Sequence, residues 1–152
     1  RGTSYMNWTD IAQTIAAIGT LALALIGFPL IIYQIRQLER AVQGDTQEKM
    51  FSRCHDISQL MLQYPEVRPY ILDGAQVPQD DQIKAKVIAF VEILGDFLEL
   101  LYFQRQNMTD EVWQSWDSYI HDVYKRCPEL AAYYGKNAAW YYAPFLEYLR
   151  TT

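Results

Sequence analysis

Histidine is scarce in this 152-residue chain, and the scarcity removes whole classes of helical chemistry. A di-iron bundle needs Glu-x-x-His, but Ser52 and Ser118 stand three residues before His55 and His121. Both histidines precede aspartate, as in metal-dependent phosphohydrolases of the His-Asp type. That chemistry needs a third histidine, and the chain has none. A helical ribonuclease with arginine four to six residues ahead of its histidine also fails, because no arginine occupies those windows. Cys54 and Cys127 are too few and too far apart for a disulfide framework or a zinc site, so they are expected as reduced thiols of a cytosolic domain. Cys54 beside His55 makes no dyad, since adjacent side chains on a helix diverge by about 100°. There is no Gly-rich phosphate loop, and Asp73-Gly74 reads as a plain turn. No segment alternates like a strand, and nothing repeats. No catalytic residue, cofactor or metal is therefore assigned.

Basic charge is lacking as well. The net charge is −5, and from Arg36 onward 12 Lys/Arg face 17 Asp/Glu, the totals of 13 and 18 less Arg1 and Asp10. Nucleic-acid binders carry a basic stripe because phosphate contacts supply much of their affinity. No nucleic-acid partner is expected.

What is present is an apolar run. Ile11 to Ile35 contains no charged side chain. About twenty helical residues cross a hydrocarbon core, so the run is long enough to span a membrane with some tilt. Trp8 and Tyr33 suit the two interfaces, and Asp10 suits a helix start. A cleaved signal peptide is the rival reading, with an A-x-A pattern at Ala22 to Ala24. Apolar residues continue for eight positions beyond it, which favours an anchor. The chain does not open on methionine, and Met6 is the expected natural start. Arg36, Arg40, Lys49 and Arg53 follow the run while only Arg1 precedes it, so the positive-inside bias places the N-terminus outside. The expected organisation is an extracytoplasmic N-terminus over residues 1–8, a transmembrane helix over 9–35 and a cytoplasmic helical domain over 36–152.

At 100° per residue the run has two faces. One carries Gln13, Ala16, Ala17, Thr20, Ala24, Gly27, Ile31 and Gln34, and the other Ile11, Ile15, Ile18, Ala22, Leu25, Ile26, Pro29 and Tyr33. Small residues let helices approach closely in lipid, and amides or hydroxyls hydrogen-bond across the contact. The small, polar face is thus the candidate oligomer seam or pore lining, against the plainer reading of a monomeric anchor rich in Gly and Ala. Pro29 and Gly44 are the candidate hinges, Pro29 through a freed carbonyl and Gly44-Asp45 as a weak point in the helix. A static kink at Pro29 is the alternative.

Past Ile35 the periodicity predicts one helix of more than fifty residues, Asp10 to Gln63, if Gly44 is tolerated. Pro65 to Leu72 reads as a short helical turn and Ala75 to Asp81 as loop. Gln82 to Gln106 is a second long helix, apolar nearly all round but too interrupted by Glu92, Asp96 and Glu99 to span. Thr109 caps a third helix whose apolar face includes Val112, Trp113, Trp116, Ile120 and Val123. Pro128 opens a short helix ending near Gly135, and a final helix carries Trp140, Tyr141, Phe145 and Leu149. The carboxylate line Glu92, Asp96, Glu99 is a metal or acidic-ring candidate. The plainer expectation pairs it with Arg53, Arg68, Arg105 or Arg126. The aromatics between Tyr133 and Tyr148 suit either a thin core or a partner contact.

Tyr33 to Leu38 (YQIRQL), PEVRPY at Pro65 to Tyr70, EVWQSW at Glu111 to Trp116, and Trp140 to Phe145 resemble sequences in uncharacterised families of small bacterial membrane proteins. These join a single N-terminal span to a helical domain. The resemblance implies an all-α chain, one transmembrane helix continuing into a cytoplasmic helical bundle, and carries no activity with it. The expected protein is a homo-oligomer of the bacterial inner membrane, in contact with lipid, whose span forms a pore or ion channel. The alternative is a membrane-tethered binding or sensor module for a cytosolic protein, without transport.

Overall fold

The computed structural model describes residues 8–151, and the protein is all-α, with no strand among them. Helix α1 runs Trp8–Gln63 and is continuous through both Pro29 and Gly44. Asp10, the expected helix start, lies inside it, but the Asp10 side chain is outside the described residues. Pro65–Val67 forms a 3₁₀ turn, followed by α2 (Arg68–Leu72). Helix α3 is Asp81–Gln104, closed by a 3₁₀ turn at Arg105–Asn107, and α4 is Asp110–Arg126. Helix α5 spans Pro128–Lys136, a 3₁₀ turn covers Ala138–Trp140, and α6 is Ala143–Arg150.

The chain divides into two compact units, Arg1–Val42 and Gln43–Thr152. In the first, no described residue is buried. The second is a helical domain built around α3, whose Val87, Phe90, Val91, Leu94, Phe97, Leu98 and Leu101 are all buried. Their i, i+3, i+4, i+7 spacing gives a wide apolar stripe. That stripe packs against α5, α2 and the Pro65–Val67 turn, while α4 packs on α2 and α5. Met50 and Ile57 of α1 join this core.

Local chemistry sets the ends of the helices. Asp80 caps α3, its Oδ1 accepting from the backbone N–H of Gln82 and Ile83 at 2.9 Å each. Such a cap satisfies donors that the first turn leaves unpaired. Thr109 caps α4 through its hydroxyl, which accepts from Val112 N–H at 3.4 Å. Gly74 takes φ +66° in the turn after α2, a conformation that glycine adopts without a Cβ clash.

The start of the last helix differs from the sequence expectation. The segment Trp140–Tyr141 is not part of the last helix: Trp140 ends a 3₁₀ turn, Tyr141 is extended, and α6 begins at Ala143. Pro144 explains this: in a helix extended back through Trp140 its ring would clash with the Trp140 carbonyl, whereas in the first turn it is harmless. Helix α5 ends at Lys136, next to Gly135, where the sequence places its end.

Candidate functional site

The sequence offers two regions for function, the small face of α1 and the carboxylate line of α3. Gln13, Ala16, Ala17, Thr20, Ala24, Gly27, Ile31 and Gln34 all lie within α1. Residues seven apart drift only about 20° per heptad on a straight helix, so Gln13, Thr20, Gly27 and Gln34 share one side. All of these are exposed except Gly27, which is half-exposed, and Ala24, whose side chain is outside the described residues. The Thr20 hydroxyl donates to the Ala16 carbonyl at 2.8 Å, so its proton is already satisfied within the helix. The Gln37 amide donates to the Tyr33 hydroxyl at 2.7 Å. Pro29 lacks the N–H that would bond the Leu25 carbonyl. The opposite face is equally uncovered, with Leu25 68% and Ile26 71% exposed.

The α3 carboxylates do not find the arginines expected for them. Asp96 Oδ1 accepts from the Tyr141 hydroxyl at 3.1 Å, and Glu99 Oε1 accepts from the Tyr142 backbone N–H at 2.6 Å. Arg126 pairs with Asp122 at 2.8 Å. Arg105 instead donates to the Tyr102 carbonyl at 2.8 Å and lies 3.9 Å from the Tyr102 ring centre. The carboxylate line therefore anchors the α5–α6 connection onto α3. Beside it Tyr134, buried, donates its hydroxyl to the Gly95 carbonyl at 2.9 Å.

The two histidines are held by local partners. His121 Nε2 lies 3.8 Å from Asp117 Oδ1, and its ring packs 4.7 Å from that of Tyr148. Tyr148 donates to the same Asp117 oxygen. No sequence signal within one helical turn links Tyr148 to Asp117, so this cluster is visible only in three dimensions. His55 meets Gln59 at 2.9 Å on the surface of α1.

The shifted phenols and thiols are held toward their neutral forms, whereas Glu66 is lowered and Lys86 raised by their mutual hydrogen bond. Burial pushes the Tyr119 phenol up to about 12. Burial likewise raises Tyr134, and raises Tyr141 and Tyr148 together with their bonds to Asp96 and Asp117. The thiols of Cys54 and Cys127 are raised by burial too. A raised thiol holds less thiolate, the reverse of what an activated nucleophile needs.

Two clefts flank the second-unit part of α1. One, about 400 Å³, lies between α1 and α3, with Arg53, Asp56 and Asp96 around a floor of Ile57, Leu60 and Phe97. The other, about 550 Å³, lies between α1 and α4 and is lined almost wholly by apolar surface, including Phe51, Val112, Trp116 and Tyr119. Phe51 and Trp116 rings stand 5.4 Å apart in it. The aromatics near the C-terminus divide between core and surface. Tyr134, Tyr141 and Phe145 are buried, Tyr133 and Tyr148 half-buried, and Trp140 and Tyr142 exposed.

No family model matches the chain, and no curated protein and no solved structure is significantly similar to it. Among the described residues one helix, near the N-terminus, is long and apolar enough to cross a membrane.

Proposed function

We propose that this protein is a single-span component of a bacterial inner membrane that assembles with copies of itself, its small polar helix face lining a pore. One observation carries the membrane placement. The charge-free run Ile11 to Ile35 is helical, yet its large apolar side chains from Ile15 onward are half or more exposed. Leaving so much apolar surface in water is unfavourable by about 25 cal/mol per Å², and lipid removes that penalty. The Lys/Arg bias orients the second unit toward the cytoplasm.

Self-association rests on the polarity of one face. Gln13 and Gln34 have no hydrogen-bond partner among the described residues, and an amide facing lipid alone is unfavourable. A neighbouring copy, or water in a pore, supplies the partner. Mass measurement of the full chain in detergent tests this, and a monomer would sink it. Ion flux into liposomes tests the lining: Thr20→Leu fills the face and should abolish conduction. Unchanged flux removes that face from the pore.

The apolar α1/α4 cleft favours a second reading, a membrane-tethered module that binds a cytosolic protein. In that case the oligomer is absent and a partner co-purifies through Phe51 and Trp116.

A further inference from the structure

The second unit presents two uncovered aromatic features with no residue in common. One is concave, the α1/α4 cleft of about 550 Å³, floored by Phe51 and Trp116. The other is convex. Trp140 is 72% exposed at the end of its 3₁₀ turn, and exposed Tyr142 beside it stacks on exposed Phe103, ring centres 5.2 Å apart. Large exposed aromatics of this kind are the usual anchors of protein interfaces.

Their polar groups are complementary. The Trp indole N–H is a donor with no acceptor capacity. The cleft wall carries acceptors, the Glu111 carboxylate and the Gln47 amide oxygen. The charges also match. Lys136, four residues before Trp140, is exposed with no ion-pair partner among the described residues. Glu111, at the cleft, is exposed and equally without one. By contrast Lys49, the cation nearest in sequence, is already held by Asp45 at 2.7 Å.

We propose that the α1/α4 cleft receives Trp140 of a second copy of this chain, with Lys136 set against the acidic rim. The two surfaces differ, so the contact is head-to-tail, and repeating it joins each copy to two others. This inference rests on the self-association proposed above and identifies the surfaces that carry it in the second unit.

Cys54 lines the cleft, and Ala139, exposed, adjoins Trp140. The other cysteine, Cys127, is fully buried. The test is therefore the full chain carrying Ala139→Cys in detergent, treated with a short bis-maleimide and run on a denaturing gel. The expected result is a ladder extending beyond the dimer, because each copy is joined on two sides. Adding Cys54→Ser should remove the ladder, as should adding Trp140→Ala. A lone dimer band, no cross-link, or a ladder that survives Cys54→Ser overturns the proposal. The mass of the untreated wild type separates the two claims. A monomer defeats self-association itself, whereas an oligomer without the ladder defeats only this contact.

Discussion

Leu23 and Leu98 are the same side chain in opposite circumstances. Leu23, in the first unit, is 75% exposed, whereas Leu98, in the second, is fully buried. Both sit on helices, and both helices are rich in Leu, Ile and Ala. The difference lies in what surrounds them. Helix α3 is ringed by α2, α5 and the Pro65–Val67 turn, which remove its stripe from water. The N-terminal part of α1 has no such neighbours in its own unit. Helical propensity is nearly the same in the two regions, and tertiary neighbours decide which one folds into a core.

The sharpest way to test that contrast is truncation on each side. Leu98→Ala should cost the second unit about 2–5 kcal/mol, through lost burial and the cavity left behind. Leu23→Ala should leave the same thermal transition unmoved. Calorimetry of both variants in detergent checks this, and equal shifts would erase the distinction.

Alkaline titration comes next. Tyr119, Tyr134, Tyr141 and Tyr148 all have raised phenol pKa values in the folded unit. Unfolded phenols ionise near the ordinary value of 10.0, so above it the unfolded state binds fewer protons and is favoured. This contribution is fully present below pH 10.0 and is lost progressively as pH rises toward about 12, where Tyr119 titrates. Melting temperature measured from pH 8 to 12 should fall over that window. A flat profile would mean these phenols are not buried as described.

Glycines sharpen the comparison at smaller scale. A Cβ on Gly95 would meet the Tyr134 ring and hydroxyl oxygen at 3.3 Å, whereas one on Gly44 meets nothing within 4 Å. Gly95→Ala gains up to about 1 kcal/mol of helix propensity, but crowding a packed core costs about 1–3 kcal/mol. The net change should be destabilising by roughly 1 kcal/mol, read by urea denaturation. Gly44→Ala should stabilise by about 0.5–1 kcal/mol for the same propensity reason. Loss of ion flux in Gly44→Ala, with stability intact, would mark Gly44 as a working hinge.

Much of the fold is legible along the chain because its signals act within a turn or two. Thr109 and its N–H partner are three residues apart, and Pro128 opens α5 where a missing N–H is harmless. Gly44 carried two readings, and the helix runs straight through it in sequence. The cap at Asp80 is not legible in the sequence, because Asp80-Asp81 reads as the tail of a loop. The partners of the α3 carboxylates were not legible at all. Arginine is the usual guess for a carboxylate, yet Asp96 and Glu99 meet Tyr141 and Tyr142, forty-five and forty-three residues away.

The sequence by itself determined an all-helical chain, a charge-free stretch long enough to span, and a small polar line along one side of it. Those properties follow from composition and from a 3.6-residue period, which need no neighbours. Only the tertiary structure decided that Tyr141 and Phe145 close the core while Trp140 and Tyr142 face outward. Pro144 stops helix formation short of these residues, and the backbone path it leaves turns alternate aromatics inward and outward.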